Sequence, residues 1–273
     1  MNKYGFILLL TLGLPWAAAQ TPQAPRLPPP PVRIGPLRLE EVSFWKECGH
    51  CKGGPCVTAS IDTLKVVSAE NAQAAAKLNS AIADWVLRLA GGRVAKNPQE
   101  VVDEFVKDHC DDVQEGAKSF PEAFFAPWDD ASTVKIEYQS ARVLSLSLLG
   151  SEYSGGAHGQ ESLTYANFRP ATGERIRLTD IFKERFETPL NAIGERRFRK
   201  LEGLSRQASL KDAGFSFPDD HFELPENFSI GADGLTFCFD TQEIASTHAA
   251  EGTKLFLPYA EIRNLLRPDA RIP

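Results

Sequence analysis

Apolar residues recur at every second position over residues 37–45 and 57–67, then at every third or fourth position from Ser68 onward, and this change of period constrains the fold more than any other feature. A period of two marks a strand with one buried face, and a period near 3.6 marks a helix with one buried stripe. The first two stretches, separated by Gly49, Gly53, Gly54 and Pro55, read as an irregular hairpin. The helix opened by Ser68 carries Leu78, Ile82, Trp85, Val86 and Leu89 on one face and ends at Gly91-Gly92, residues that tolerate left-handed geometry. A second helix follows at once. Asn97 is its N-cap, Pro98 suits the first position, Glu100 closes a capping box, and Val101, Val102, Phe105, Val106 and His109 supply the buried stripe. Both helices are expected to lie on the first sheet.

Past Pro127 the period returns to two over residues 133–139, 142–150, 161–168 and 175–178, an antiparallel meander with a turn at Ala171-Thr172-Gly173-Glu174. Thr188 and Pro189 start a helix that aligns Leu190, Ile193, Arg197, Phe198 and Leu201, weakened by Gly194. Strands at 228–230, 235–239 and 254–257 and a short helix at 259–266 follow, with Ala232-Asp233-Gly234 as a hairpin turn. Strands and helices in separate blocks make the fold α+β. The expectation is two packed lobes, residues 37–150 and 151–273, each an antiparallel sheet with helices on one face.

Ahead of the fold, Lys3, an apolar run to Trp16 and Ala17-Ala18-Ala19-Gln20 have the order of a cleavable export signal over residues 1–19. The run falls short of the roughly 20 residues that span a bilayer, and Pro15 breaks it. No later segment is apolar and long enough, so no transmembrane anchor is expected after cleavage. Residues 20–36, with Pro28 to Pro31, read as an extended tether. The expected destination is the periplasm or the medium. The formal net charge of −6, one unit more negative once Lys3 is lost, disfavours nucleic acid and would speed encounter with a basic protein.

The chain has five cysteines, and an exported chain should hold most of them oxidised; Cys48, Cys51 and Cys56 share one loop. Cys48-Gly49-His50-Cys51 has the spacing of a thiol–disulfide exchange pair, but Gly53-Gly54-Pro55 would break the helix such a pair needs. Zinc on Cys48, His50, Cys51 and Cys56 is disfavoured by the tight spacing and the lack of a second ligand pair. The expectation is a loop stapled by a disulfide from Cys56 to either Cys48 or Cys51, with no metal and no cofactor. Cys110 and Cys238 sit in apolar patterns that suggest burial, and their partners are not legible.

Tyr153-Ser154-Gly155-Gly156-Ala157-His158-Gly159 is the most distinctive string, three glycines around one histidine between two strands. Its glycines suit positive φ and close backbone approach, and His158 is expected to hydrogen-bond across the connection. Ligand contact by Tyr153, Ser154, Gly155, Gly156 and His158 is the alternative role. No GxSxG elbow, HExxH pair, Walker loop or dinucleotide fingerprint occurs, so no catalytic residue is assigned.

Tyr153 to His158, then Asn167-Phe168, Thr172-Gly173-Glu174 and Leu178-Thr179-Asp180-Ile181-Phe182, resemble a bacterial extracytoplasmic domain family of unknown function. The closing stretch is similar too: Gly234-Leu235-Thr236-Phe237, Glu243-Ile244-Ala245, Gly252, and Phe256-Leu257-Pro258-Tyr259-Ala260-Glu261-Ile262. That family includes the ectodomain of a lysozyme-sensing anti-sigma factor and a non-catalytic module of a peptidoglycan deacetylase. The resemblance implies paired α+β lobes and, in the sensor branch, binding of lysozyme. With neither a sigma-binding segment nor a deacetylase domain in the sequence, neither of those activities is expected. The function expected is an exported binding module of the cell envelope, its partner a lysozyme-like basic protein or peptidoglycan. The alternative is an envelope enzyme acting on cell-wall glycan or on thiols.

Overall fold

The two alternating stretches form β2 (Leu37–Gly49) and β3 (Cys56–Ser68) of a computed structural model that describes residues 33–34, 37–52, 54–90, 95–119, 127–155, 158–240, 244 and 253–273. The export signal, most of the tether and the Gly91-Gly92 helix stop lie outside the described residues. A two-residue strand, β1 (Arg33–Ile34), pairs along β2. Helices α1 (Ala72–Leu89) and α2 (Pro98–Ser119) follow, then β4 (Trp128–Gln139), β5 (Leu144–Tyr153) and β6 (Gln160–Phe168). Six strands make one sheet in sequence order, antiparallel except where β4 lies parallel to β3. That pair is parallel because the chain returns to the sheet through the α1–α2 crossover, which a parallel connection requires. The α+β class holds, with a mixed first sheet in place of a purely antiparallel one. β5 runs through residue 150, and the sheet takes residues from both sides of that position.

Local chemistry explains the helix ends. Asn71, not Ser68, caps α1 by accepting the Ala74 N–H at 2.8 Å, because Ser68 still belongs to β3. At α2 the Asn97 side chain accepts from Glu100 N at 3.1 Å, while the Glu100 carboxylate accepts from Lys96 N at 2.8 Å. The apolar stripes of both helices pack on Val134, Leu144, Leu146, Leu148, Ala166 and Phe168 of the sheet. Leu89 is the exception and stays exposed.

Residues 175–178 do not form the expected strand. Ile176 N donates to Asn167 O at 2.7 Å and Arg175 makes a single bridge to Phe168, but Arg177 N then donates to Asp180 Oδ2 and α3 (Leu178–Ile181) begins. Next come α4 (Glu187–Leu201), a second sheet of β7 (Phe228–Ile230), β8 (Gly234–Phe239) and β9 (Thr253–Pro258), and α5 (Tyr259–Ile262). Phe198 of α4 is ringed by Phe215, Phe217, Phe222 and Phe239 with centroids 4.9–5.7 Å away. Gly194 weakens the helix for a packing reason, since a Cβ there would stand 3.0 Å from the Leu224 side chain.

A polar seam joins the two sheets. Ser145 and Asn167 are cross-strand partners on the face opposite the helices. Both are fully buried. Ser145 Oγ donates to Asn167 Oδ1 at 2.7 Å, Ile230 N donates to the same oxygen at 3.0 Å, and Asn167 Nδ2 donates to Phe228 O at 2.7 Å. Asn227 closes the outer edge of β6 by accepting from Tyr165 N at 2.7 Å and donating to Leu163 O at 2.8 Å. A side-chain amide thus takes the place of a seventh strand.

Two disulfides hold the first lobe. Cys51–Cys56 closes the β2–β3 loop, one of the two pairings expected, and Cys48–Cys110 ties the end of β2 to α2. The burial suggested for Cys110 is corrected, since it is half-buried and bonded; Cys238 remains a buried thiol. With their sulfurs in these bonds, Cys48 and Cys51 form no exchange pair with each other and the loop offers no thiolate for zinc.

Replacing Asn167 with Ala leaves Phe228 O buried without its partner and Ile230 N with only its longer bond to Ser145 Oγ at 3.3 Å, and should cost about 2–3 kcal/mol in urea unfolding. A loss below about 0.5 kcal/mol would show the seam to be dispensable. Removing the 62-residue Cys48–Cys110 link as a double alanine variant should cost up to about 4 kcal/mol, and opening the five-residue Cys51–Cys56 link about half that, on chain-entropy grounds.

Candidate functional site

A cleft of about 400 Å³ opens between the helical layer and the sheet at the end where β5 turns into β6. Its floor follows from register. Val134, Leu148 and Thr164 form one cross-strand row, Ser132, Gly150 and Ser162 the next, and Asp130, Glu152 and Gln160 the outermost. All share the face that meets the helices. The middle row lacks bulk, and a Cβ on Gly150 would sit 2.8 Å from Ser162 Oγ, so this row leaves the space that the apolar row fills. The roof is Leu89 and Ala90 at the end of α1 and Val101, Phe105 and His109 of α2.

The outermost row carries the charge. Asp130 and Glu152 face each other directly across β4 and β5, an arrangement that like charges disfavour. Burial, then Glu152, then Asp129 push the Asp130 carboxyl up to about 6. Burial also raises Asp129. Glu161 and Asp240 line the same cleft, and among the described lining residues there is no lysine or arginine. His109 stands between the rings of Phe105 and Trp128, at 4.6 and 5.4 Å, with its buried Nδ1 lacking a hydrogen-bond partner among the described residues. Cys110 beside it is fixed to Cys48, so the disulfide positions this turn of α2 over the cleft. The arrangement is a carboxylate-lined recess suited to an ammonium or guanidinium group.

The described residues of the Tyr153–His158 string, Tyr153, Ser154, Gly155 and His158, lie between β5 and β6 beside this cleft. Tyr153 ends β5 half-buried, Ser154 is exposed, and Gly155 adopts φ +96° against Trp128, where a Cβ would lie 3.2 Å from the ring. The close backbone approach expected of the glycines is thus met at Gly155. Gly156 lies outside the described residues. His158 is exposed, and among the described residues it makes none of the hydrogen bonds expected across the connection. Asp130, Glu152 and His109, which form the recess, carry no sequence motif. Only the pairing of β4 with β5 brings the two carboxylates together, and His109 had the spacing of an ordinary core position on α2.

Fold and site together define a two-lobed α+β protein with an acidic recess in its first lobe. The family model described as "Deacetylase PdaC" matches residues 52–161, and that described as "Protein of unknown function (DUF3298)" matches residues 179–261. The chain thus resembles a DUF3298-family module, with a DUF3298-type stretch preceded by a PdaC-type one. The Tyr153–His158 string falls in the first match, in keeping with the place of Tyr153 at the end of β5 in the six-stranded sheet. A crystal structure of a DUF3298 family member from Bacteroides fragilis is 19% identical, covers 85% of this chain and 94% of its own, and superposes with a TM-score of 0.67. One from Pseudomonas aeruginosa is 15% identical, covers 87% and 98%, and gives 0.62. At these identities the likeness is one of fold. A search of curated proteins found no match. Among the described residues no helix is long and apolar enough to cross a membrane.

Asp130 holds its proton more tightly in the folded chain, at about 6, than the ordinary carboxyl at 3.8. Its contribution therefore makes stability decline as pH rises from about 4 to 6. Asp130→Asn should remove that slope and raise stability at pH 7 by about 1–2 kcal/mol after discounting solvent screening, as read by urea unfolding at both pH values. An unchanged slope would show that Asp130 titrates normally.

Proposed function

We propose that the chain is an exported, non-catalytic binding module of the cell envelope that takes a cationic side chain of a basic, lysozyme-like protein into the recess formed by Asp130 and Glu152. The observation that carries this reading is the facing carboxylate pair in a cleft whose described lining has no cation. Such a pair costs stability in the isolated chain and is relieved when a lysine or arginine enters. The exposed residues Ser154 and His158 stand between β5 and β6 near the rim, where a protein partner would touch them. The family likeness supports an envelope role and the acidic net charge supports a basic partner.

One observation favours a second reading, hydrolysis of cell-wall glycan. A carboxyl raised to about 6 beside another carboxylate is the arrangement of a general acid with its companion. In that case Asp130→Asn would abolish turnover of purified cell wall.

Mature protein mixed with a basic lysozyme at low ionic strength should associate measurably in calorimetry, weaken steeply between about 50 and 200 mM salt, and lose about tenfold or more with Asp130→Asn and Glu152→Gln combined. Association unchanged by the double substitution would remove the recess from the account. Binding of purified peptidoglycan but not of lysozyme would replace the protein partner with the wall itself.

A further inference from the structure

A second charged cavity, of about 680 Å³, lies between the C-terminal end of α1 and the second lobe. Arg88 enters it from the last turn of α1, and Arg175 and Arg177 enter from the segment that follows β6. None of the three is in an ion pair among the described residues, and their guanidinium groups make one hydrogen bond there, from Arg175 Nη2 to Tyr165 O at 3.2 Å. Partial burial first, then the charges of Arg88 and Arg177, lower the pKa of Arg175, and Glu226 opposes them.

The scaffold holds these like charges together firmly. Gly173, at φ +72°, brings the turn before Arg175 so close to α1 that a Cβ would lie 2.7 Å from Lys77 Cβ and 2.8 Å from Leu78 N. Trp85, one turn ahead of Arg88, meets Phe168 edge-on at 6.4 Å. A fixed cluster of unpaired arginines is poised for an oxyanion, which two guanidinium forks grip through parallel N–H donors. Two further features narrow the class. Phe186, Leu190 and Leu224 give the cavity an apolar wall, and Glu187, Glu223 and Glu226, also in no ion pair among the described residues, disfavour a multiply charged anion. The volume falls in the range of small-ligand sites.

We propose that this cavity binds the free carboxylate of a small, partly apolar ligand such as the C-terminus of a short peptide, with Arg88, Arg175 and Arg177 as donors and Phe186, Leu190 and Leu224 as the apolar contact. The site is separate from the acidic recess and does not depend on what fills it.

The test is an NMR titration of the mature protein at low salt, following the arginine side-chain signals, with N-acetyl-alanyl-leucine, its C-terminal amide and inorganic phosphate. The free acid should shift the Arg175 and Arg88 signals saturably. The amide and phosphate should each bind at least tenfold more weakly, and Arg88→Gln should weaken the acid at least tenfold. Arg175→Gln should do the same; because Arg175 also bonds Tyr165 O, the Arg88 variant carries the test if that one misfolds. Equal binding of acid and amide, no saturable shift with the acid, or phosphate binding as tightly as the acid would each overturn the assignment.

Discussion

Asn167 carries the junction on which the arrangement of the two sheets depends. Its buried amide accepts from Ser145 Oγ and Ile230 N and donates to Phe228 O, so one side chain fixes β5, β6 and β7 at once. The same residue accepts Ile176 N through its backbone carbonyl, which starts the chain toward the second lobe. Directional polar bonds in a buried place set register in a way apolar packing does not, because a slip by one residue would strand every donor and acceptor in the seam. Ser145 adds a contact of 3.1 Å to Ser229 Oγ and completes the network.

With β5 and β6 held in that register, the acidic recess follows. The cross-strand rows that place Leu148 under the helices also place Gly150 between two serines and Glu152 opposite Asp130. The first row builds core, the second leaves a void, and the third fills its mouth with negative charge. The disulfide from Cys48 to Cys110 fixes the roof above it. The recess therefore rests on rigid strands and a covalently anchored helix rather than on mobile loops, which suits a preformed binding site. The Asp130–Glu152 pair is a local conflict that the fold retains, and such conflicts gather at functional positions.

Where periodicity was long and regular, the sequence was informative: both helices of the first lobe, the β4–β6 meander and the closing hairpin lie where the spacing of apolar residues puts them. It was silent where the core is built from irregular chain. Phe215, Phe217, Phe222 and Leu224 are buried in the second lobe, yet they stand in a stretch rich in turns and free of any period, so nothing local marked them as core. The strand expected at residues 175–178 failed because capping by Asp180 competes with pairing, a choice decided by one side chain. The recess was illegible for a different reason. Its carboxylates are 22 residues apart, and their meeting depends on strand register, which only the folded sheet reveals. Asn167-Phe168 and Thr172-Gly173-Glu174 carried the family likeness, and they mark structural needs: the seam, the partner of Trp85 and the close approach of Gly173 to α1.

The central claim is that Asp130, its carboxyl raised to about 6 and facing Glu152, receives a cation from a basic partner. Affinity of the mature protein for a basic lysozyme, measured from pH 4.5 to 8 at constant low salt, tests it most directly. As Asp130 loses its proton through about 6, association should strengthen and then level off, with proton release on binding near the midpoint. An affinity that is flat across that range, or that falls as pH rises through 6, would contradict it.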